Sequence, residues 1–381
     1  MRLLIAFSSW SPGGADRTYI TPVIPAALAA GWDVHTACSG RDDLRPLVQH
    51  LESLGATHHT CDLAEQPGTG LRYRMTQRRF AYRMMRLLED VSPDRVLLVL
   101  PWASYGLGAM RACSRHGTPA AVVFQLVKPG WLPSWRMRAT HDLLSGSCRA
   151  VAVSDNNRTI LSKMFRLERQ NIQLIYNGTN TTPTDNDDAR AAARARGRAA
   201  AGVRDQEQMV LTTARLSPQK GHRYLLEAIP RVIAAHPEAV FVLAGEGPER
   251  TAIEASIGEA GLHSHVRLLG ERSDIEDLSC AADLFVFPTT FEGSPFALLE
   301  AMAYGLPVVT TDASGIAEVV RDGIDGIVVE KENPEALANG IRRSLADRSA
   351  MSQMATSAQE RVRQFSADHM ASQTLHLLAS L

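Results

Sequence analysis

The sequence predicts an α/β protein made of two domains of similar size, each with a parallel sheet covered by helices. Short buried-looking apolar runs alternate with helix-forming segments along nearly the whole chain. The length, 381 residues, exceeds what one ordinary core accommodates. A polar, turn-rich run, TNTTPTDNDD at Thr179 to Asp188, falls near the midpoint. Domains at 1–180 and 181–365 follow, with a last helical segment at 366–381.

Forty basic against forty-one acidic side chains give a formal charge of -1, so bulk attraction to nucleic acid is not expected. No apolar run approaches the roughly 18 residues needed to cross a bilayer, and no leader-like start is present, so a cytoplasmic location is expected. Cys38, Cys61, Cys113, Cys148 and Cys280 are scattered without zinc or disulfide spacing and read as small core residues.

The chain opens with an apolar run, Arg2 to Ser8, followed by SPGGADR at Ser11 to Arg17. Strand, glycine-rich loop and helix is a Rossmann-like opening, and Gly13-Gly14 lets an anionic or sugar group approach the backbone. The third glycine of the dinucleotide fingerprint is missing, which argues against a nicotinamide or flavin protein. Pro22 and Pro25 interrupt the next helix, predicting a kink or a start as late as Pro25. Further strands are expected at Asp33 to Cys38, Thr57 to Cys61, Arg95 to Leu100, Val122 to Leu126, Ala150 to Val153 and Ile172 to Tyr176.

The helix at 71–88 carries Tyr73, Phe80, Met84, Leu87 and Leu88 on one face and Arg72, Arg79, Arg83 and Arg86 beside it. A solvated arginine face flanking a core helix is favoured over peripheral contact with anionic lipid or a phosphorylated acceptor. The loop KPGWLPSWRMR, Lys128 to Arg138, sets Trp131 and Trp135 among cations, either to stack on an acceptor sugar or simply to pack. His116, His141 and His222 are isolated and read as surface or capping residues. Ala189 to Ala201 reads as a small surface helix.

The second domain restarts with a strand at Met209 to Thr213 and then ARLSPQKG, Ala214 to Gly221. Arg215 and Lys220, between a strand end and a helix start, suit a diphosphate. Gly245-Glu246-Gly247 after the next strand allows another close backbone approach. The densest stretch is Asp283 to Val309, DLFVFPTTFEGSPFALLEAMAYGLPVV. A buried strand ends at Pro288, a loop carries Glu292 and Gly293, and a helix starting near Pro295 carries Glu300. That is the form of an α/β ligand site, where free N–H groups at helix starts attract anions.

Taken in order, Gly13-Gly14, Asn177-Gly178, Arg215-Leu216, Lys220-Gly221, Gly245-Glu246-Gly247, Glu292 to Phe296, Glu300 to Ala303 and Gly305 to Val309 resemble glycosyltransferase family 4. The resemblance spans nearly the whole chain and implies the GT-B architecture, two facing Rossmann-like domains, and a retaining transferase using a nucleotide sugar, expected to be UDP-linked. It implies that Arg215 and Lys220 grip the donor diphosphate, that Glu300 binds the ribose hydroxyls and that Glu292 faces the donor sugar. Backbone N–H groups from Gly293, Ser294, Pro295 and Phe296 would hold sugar and phosphate. Gly14 would approach the diphosphate, and the segment from Arg272 to Ile275 would lie near the base. The last helix, Ser366 to Leu381, would return to support the first domain.

Departure of a diphosphate leaves negative charge that fixed cations and amides can stabilise, so no metal or other cofactor is expected. The expected partners are a nucleotide sugar and a small-molecule or glycan acceptor. Many family members carry a histidine where this chain has Gln125, an amide that hydrogen-bonds but does not titrate near neutrality. Gln125 marks either a changed donor pocket or a locally satisfied polar residue. A sugar-nucleotide epimerase or hydrolase of the same architecture, and a catalytically silent nucleotide-sugar-binding module, are the competing readings.

Overall fold

The computed structural model describes residues 1–8, 14–63, 70–128, 130, 132–180 and 186–381. The chain divides into two compact units, Met1–Gly178 with Ala367–Leu381, and Thr179–Ser366.

The first unit carries seven parallel strands, β1 (Arg2–Phe7), β2 (Asp33–Cys38), β3 (Thr57–Thr60), β4 (Arg95–Trp102), β5 (Ala120–Leu126), β6 (Cys148–Ala152) and β7 (Ile172–Leu174). Their spatial order is β3-β2-β1-β4-β5-β6-β7. Helices α1 (Ala15–Ala29), α2 (Arg45–Ser53), α3 (Gly70–Val91), α4 (Leu107–His116), α5 (Ser134–Ser145) and α6 (Asp155–Phe165) connect them. The central strands are apolar on both faces, as strands covered by helices on both sides require: Leu3, Leu4 and Ile5 of β1 and Val122 and Val123 of β5 have no exposed surface.

Helix α1 corrects the expected late start, because it begins at Ala15 and runs through both prolines. Tyr19, Ile20, Val23, Ile24 and Ala27 are fully buried along it, whereas Pro22 and Pro25 face outward. Burial of that apolar stripe outweighs two missing hydrogen bonds. Helix α4 was not expected from the sequence; its boundaries are Gly106 and Gly117, both left-handed. The final helix, α15 (Ala367–Ser380), belongs to the first unit. There Thr374 Oγ1 lies 2.8 Å from the buried Tyr19 hydroxyl, and the Arg95 guanidinium donates to the Leu378 carbonyl at 3.0 Å.

The second unit opens with α7 (Asp187–Ala201) and has six parallel strands, β8 (Gln208–Thr213), β9 (Ala239–Ala244), β10 (Val266–Gly270), β11 (Leu284–Phe287), β12 (Val308–Thr311) and β13 (Ile327–Val329). Helices α8 (His222–Ile233), α9 (Arg250–Glu259), α10 (Ile275–Ala281), α11 (Phe296–Ala303), α12 (Ile316–Val319), α13 (Pro334–Ala346) and α14 (Arg348–Val362) complete it. The order β10-β9-β8-β11-β12-β13 reverses direction between β8 and β11. In such sheets the crevice beyond the strand ends at this reversal is where ligands bind.

Helix α7 is less of a surface element than its alanine-rich sequence suggests. Ala193, Gly197, Arg198 and Ala201 are buried, and a Cβ on Gly197 would lie 2.1 Å from the Asp277 carbonyl of α10. Arg196 pairs with Asp277 at 2.6 Å, and Arg194 donates to the Ala281 carbonyl at 2.8 Å and pairs with Asp283 at 3.0 Å. Its arginines therefore hold α10 in place. All five cysteines are free and buried, as small core residues are.

Candidate active site

At the reversal of the second sheet, four strand-end loops are stitched to one another. Thr290 N donates to the Gln219 carbonyl at 2.8 Å, and Gln219 Nε2 donates to the Phe291 carbonyl at 2.6 Å, joining the loops after β8 and β11. Thr311 Oγ1 donates to the Thr289 carbonyl and Ser314 Oγ to the Glu292 carbonyl, adding the loop after β12. Leu216 N donates to the Glu246 carbonyl at 2.9 Å, adding the loop after β9. Gly221 is left-handed, φ 68, and a Cβ there would stand 2.0 Å from the Pro288 carbonyl. Only glycine fits both constraints.

Lys220 and Glu292 meet inside this frame. Lys220 Nζ lies 2.6 Å from Glu292 Oε1 and 5.0 Å from the centre of the Phe287 ring. Thr289 Oγ1 donates to the same carboxylate oxygen at 2.8 Å. Glu292 is only 4% exposed, so Lys220 and Thr289 compensate a charge that burial alone would disfavour. Glu292 Oε2 accepts no hydrogen bond among the described residues. Arg215 is exposed, and its guanidinium has no protein partner among those residues.

Glu300 is one turn into α11, and its environment differs. Burial pushes its carboxyl up from the ordinary 4.5 to about 7. Among the described residues no side chain or backbone N–H bonds to that carboxyl. Glu300 is half-buried, so its free carboxyl is within reach of hydrogen-bond donors from outside the chain.

Other expected residues fall less directly. The space a Cβ would fill at Gly245 is taken by the Ala214 carbonyl, and at Gly247 by the Leu216 carbonyl. These two glycines are explained by packing of neighbouring loops. Arg272 is turned onto Asp274, its Nε donating at 2.7 Å, and Ile275 begins α10. Gly293, Ser294 and Pro295 are buried, with Pro295 capping α11 and Phe296 as its first residue. Pro295 has no N–H, so it drops out of the expected row of donors.

In the first unit Gln125 lies within β5 and is 2% exposed. Its Oε1 accepts from Asn177 Nδ2 at 2.9 Å, and its backbone carbonyl accepts from Asn157 Nδ2 at 3.3 Å. Local satisfaction is thus half complete: Gln125 Nε2 has no partner among the described residues. Gly14, φ 128, precedes α1, and a Cβ there would meet nothing within 4 Å. Gly13 and Trp131 lie outside the described residues. Trp135 is on α5, so the expected loop is in part a helix, and Arg136 beside it is buried with Nη1 donating to the Tyr73 hydroxyl.

His222 is neither a surface nor a capping residue. It is fully buried at the start of α8, and neither ring nitrogen has a partner among the described residues. Burial, with Lys220 adding to it, pushes its pKa down to about 4, so the ring is neutral. Thr289, Gln219 and Phe287 were also not singled out from sequence; only their places next to Lys220 and Glu292 reveal them. One Asp-x-Asp run occurs, Asp185-Asn186-Asp187, but Asp185 lies outside the described residues and Asn186 caps α7, its Oδ1 accepting from Asp188 N at 2.9 Å.

Two parallel sheets with interleaved helices make this an α/β protein of the two-domain GT-B fold. A crystal structure of Anabaena HepE in complex with UDP and glucose superposes with a TM-score of 0.81, 22% identity and full coverage of both chains. A family model described as Glycosyltransferase Family 4 matches residues 13–183, and one described as Glycosyl transferases group 1 matches residues 194–361. The chain belongs to this glycosyltransferase family.

An uncharacterised glycosyltransferase, MJ1607 of Methanocaldococcus jannaschii, is 31% identical over 61% of this chain and 60% of its own. The UDP-Gal:alpha-D-GlcNAc-diphosphoundecaprenol alpha-1,3-galactosyltransferase of Escherichia coli is 26% identical over 54% of each. The matches therefore span little more than half the length of these relatives.

Proposed function

We propose that the protein transfers a sugar, with retention of configuration, from a UDP-linked donor to a glycan or small-molecule acceptor. The observation that carries this reading is the half-buried Glu300 carboxyl, without a hydrogen-bond partner among the described residues, on the helix that follows the loop of Lys220's partner, Glu292. A carboxylate lacking donors suits the paired hydroxyls of a ribose. Arg215, exposed and unpaired, suits a diphosphate through two parallel N–H bonds. UDP is chosen as the nucleotide because HepE, of the same fold, was crystallised with UDP and glucose.

As the anomeric C–O bond breaks, positive charge develops on the sugar ring and negative charge on the diphosphate. Arg215 and Lys220 stabilise the latter. Glu292 orients Lys220 through Oε1 and offers Oε2 to a donor-sugar hydroxyl. Retention follows from attack by the acceptor hydroxyl on the face the leaving group vacates, its proton passing to the departing diphosphate oxygen. With two guanidinium or ammonium groups taking the developing charge, the reaction proceeds without a metal, and excess EDTA is expected to leave turnover unchanged.

The donor-binding assignment extends to Gly14, Gly245, Gly247, the Arg272 to Ile275 segment and the N–H groups of Gly293, Ser294 and Phe296, with Gln125 reading a sugar hydroxyl. A thermal-shift screen of UDP-, GDP-, ADP- and dTDP-sugars tests it, followed by mass spectrometry for transfer in a cell extract. Stabilisation by UDP-sugars with acceptor-dependent mass gain is expected. Release of free sugar in place of a transfer product would contradict it.

A further inference from the structure

The outer face of α3 is chemically unlike the rest of the surface. Large apolar side chains more than a third exposed are few among the described residues: Met1, Met75, Tyr82 and Ile324. Two of the four belong to this helix. Met75 is 52% and Tyr82 68% exposed. Their separation of seven residues is two turns, which puts both on one stripe.

Arginines flank that stripe. Arg78 and Arg79 are exposed between Met75 and Tyr82. Helix α4 is seated tightly against α3 at Gly108, where a Cβ would stand 2.7 Å from the Gln77 carbonyl and where Gln77 Oε1 accepts from Gly108 N at 2.9 Å. That seating brings Arg111 and Arg115 of α4 to the same face. Arg111 feels it: burial first, then the nearby Arg115 and Arg78, pushes its pKa below the ordinary value.

A merely solvated arginine face is usually interleaved with acids. Further along α3 it is, with Arg83 on Asp62 at 3.0 Å and Arg86 on Glu89 at 3.7 Å. Among the described residues Arg78, Arg79, Arg111 and Arg115 have no carboxylate partner. Four uncompensated cations around two exposed apolar side chains therefore stand on a protein whose formal charge is only -1.

We propose that the face shared by α3 and α4 docks on an anionic bilayer, with Arg78, Arg79, Arg111 and Arg115 on lipid phosphates and Met75 and Tyr82 entering the headgroup layer. Arginine provides the charge complementarity to phosphate, and an exposed tyrosine and methionine gain by leaving water at an interface. No helix among the described residues is long and apolar enough to cross a membrane, so the contact is peripheral. The proposal stands apart from the donor site, and UDP binding serves as its folding control.

Flotation of the full chain with phosphatidylcholine vesicles, and with phosphatidylcholine–phosphatidylglycerol vesicles, tests it at low and high salt. The wild type is expected to float with the anionic vesicles at low salt and not with the neutral ones. Arg78→Ala with Arg111→Ala should weaken binding at least about tenfold, from about fivefold per charge. Met75→Ser with Tyr82→Ser should weaken it severalfold at unchanged charge. Undiminished flotation of the arginine variant would overturn the proposal. So would equal flotation of the Met75/Tyr82 variant, since binding would then be generic to polyanions, as would loss of the exposed face to a dimer seen by sedimentation.

Discussion

The polar residues near the strand ends of the two sheets differ in kind. In the second unit they are ionisable, with Lys220 on Glu292 and Glu300 without a partner among the described residues. In the first they are neutral amides, with Asn177 donating to the Gln125 side chain and Asn157 to the Gln125 main-chain carbonyl. The first arrangement can stabilise a changing charge and respond to pH. The second can only offer hydrogen bonds of fixed direction: with Gln125 Oε1 committed to Asn177, Nε2 is left as a donor. The charge handling proposed here therefore falls to the second unit, and the hydroxyl contact proposed for Gln125 involves no group that titrates near neutrality.

The largest expected effect separates these roles most sharply. Lys220→Ala should lower kcat by about a hundredfold to a thousandfold, the cost of losing one group that stabilises developing negative charge. It should also lower Tm, because Glu292 is left buried without its cation. Lys220→Met with Glu292→Gln should recover Tm and not kcat, which distinguishes catalysis from stability.

Next in size, Gly221→Ala should destabilise the fold by about 1–3 kcal/mol from backbone strain alone, with the Pro288 carbonyl clash adding to it. Gly14→Ala, at φ 128 and ψ -177, carries backbone strain of its own but no clash, so chemical denaturation of both variants compares a strained site with one that is strained and also filled.

Glu300→Gln should weaken UDP binding by about tenfold to a hundredfold, the worth of hydrogen bonds to a charged group. It also has a pH signature. The folded carboxyl, near 7, holds its proton more tightly than the unfolded one at 4.5, so Glu300 favours the native state at low pH and that contribution fades as pH rises from about 4.5 to 7. His222 acts in the opposite sense: its folded pKa near 4 lies below the ordinary 6.5, so its contribution is present above about 6.5 and is lost as pH falls towards 4. The two slopes oppose each other between about 4.5 and 6.5. Glu300→Gln should therefore unmask a steeper acid destabilisation in a Tm-against-pH series, and UDP should bind the wild type better above pH about 7 than below it.

The smallest effect belongs to the amide cluster. Gln125→Ala should reduce donor affinity by about fivefold to tenfold, one neutral hydrogen bond, without changing its pH dependence. Gln125→His should introduce a dependence near neutrality. A large loss of kcat in Gln125→Ala would blur the distinction between the units.

Much of this was readable in advance, for identifiable reasons. Strands such as Leu284–Phe287 and Ala239–Ala244 are continuous apolar runs because both faces of a covered parallel sheet are buried. Arg215, Lys220, Glu292 and Glu300 stood out because they interrupt such runs at strand ends. The early start of helix α1 is not legible, since proline propensity is local and the burial that overrides it is not. Helix α7 looked superficial because alanine and arginine carry no sign of the α10 contacts that bury Gly197 and Arg198. The Lys220–Glu292 pair and the burial of His222 arise from loops meeting across 72 residues of sequence, which no spacing announces. The exposure of Tyr82 was hidden for the opposite reason: an aromatic residue in an amphipathic helix is ordinarily part of the core.

The account rests on Arg215 and Lys220 as the holders of the donor diphosphate. Calorimetric titration of UDP and of uridine into the wild type and into Arg215→Ala/Lys220→Met/Glu292→Gln tests this most directly, because the nucleoside lacks only the diphosphate. The wild type is expected to bind UDP far more tightly than uridine, and the variant to bind the two alike. A variant that still prefers UDP as strongly as the wild type does would place the diphosphate elsewhere and contradict the account.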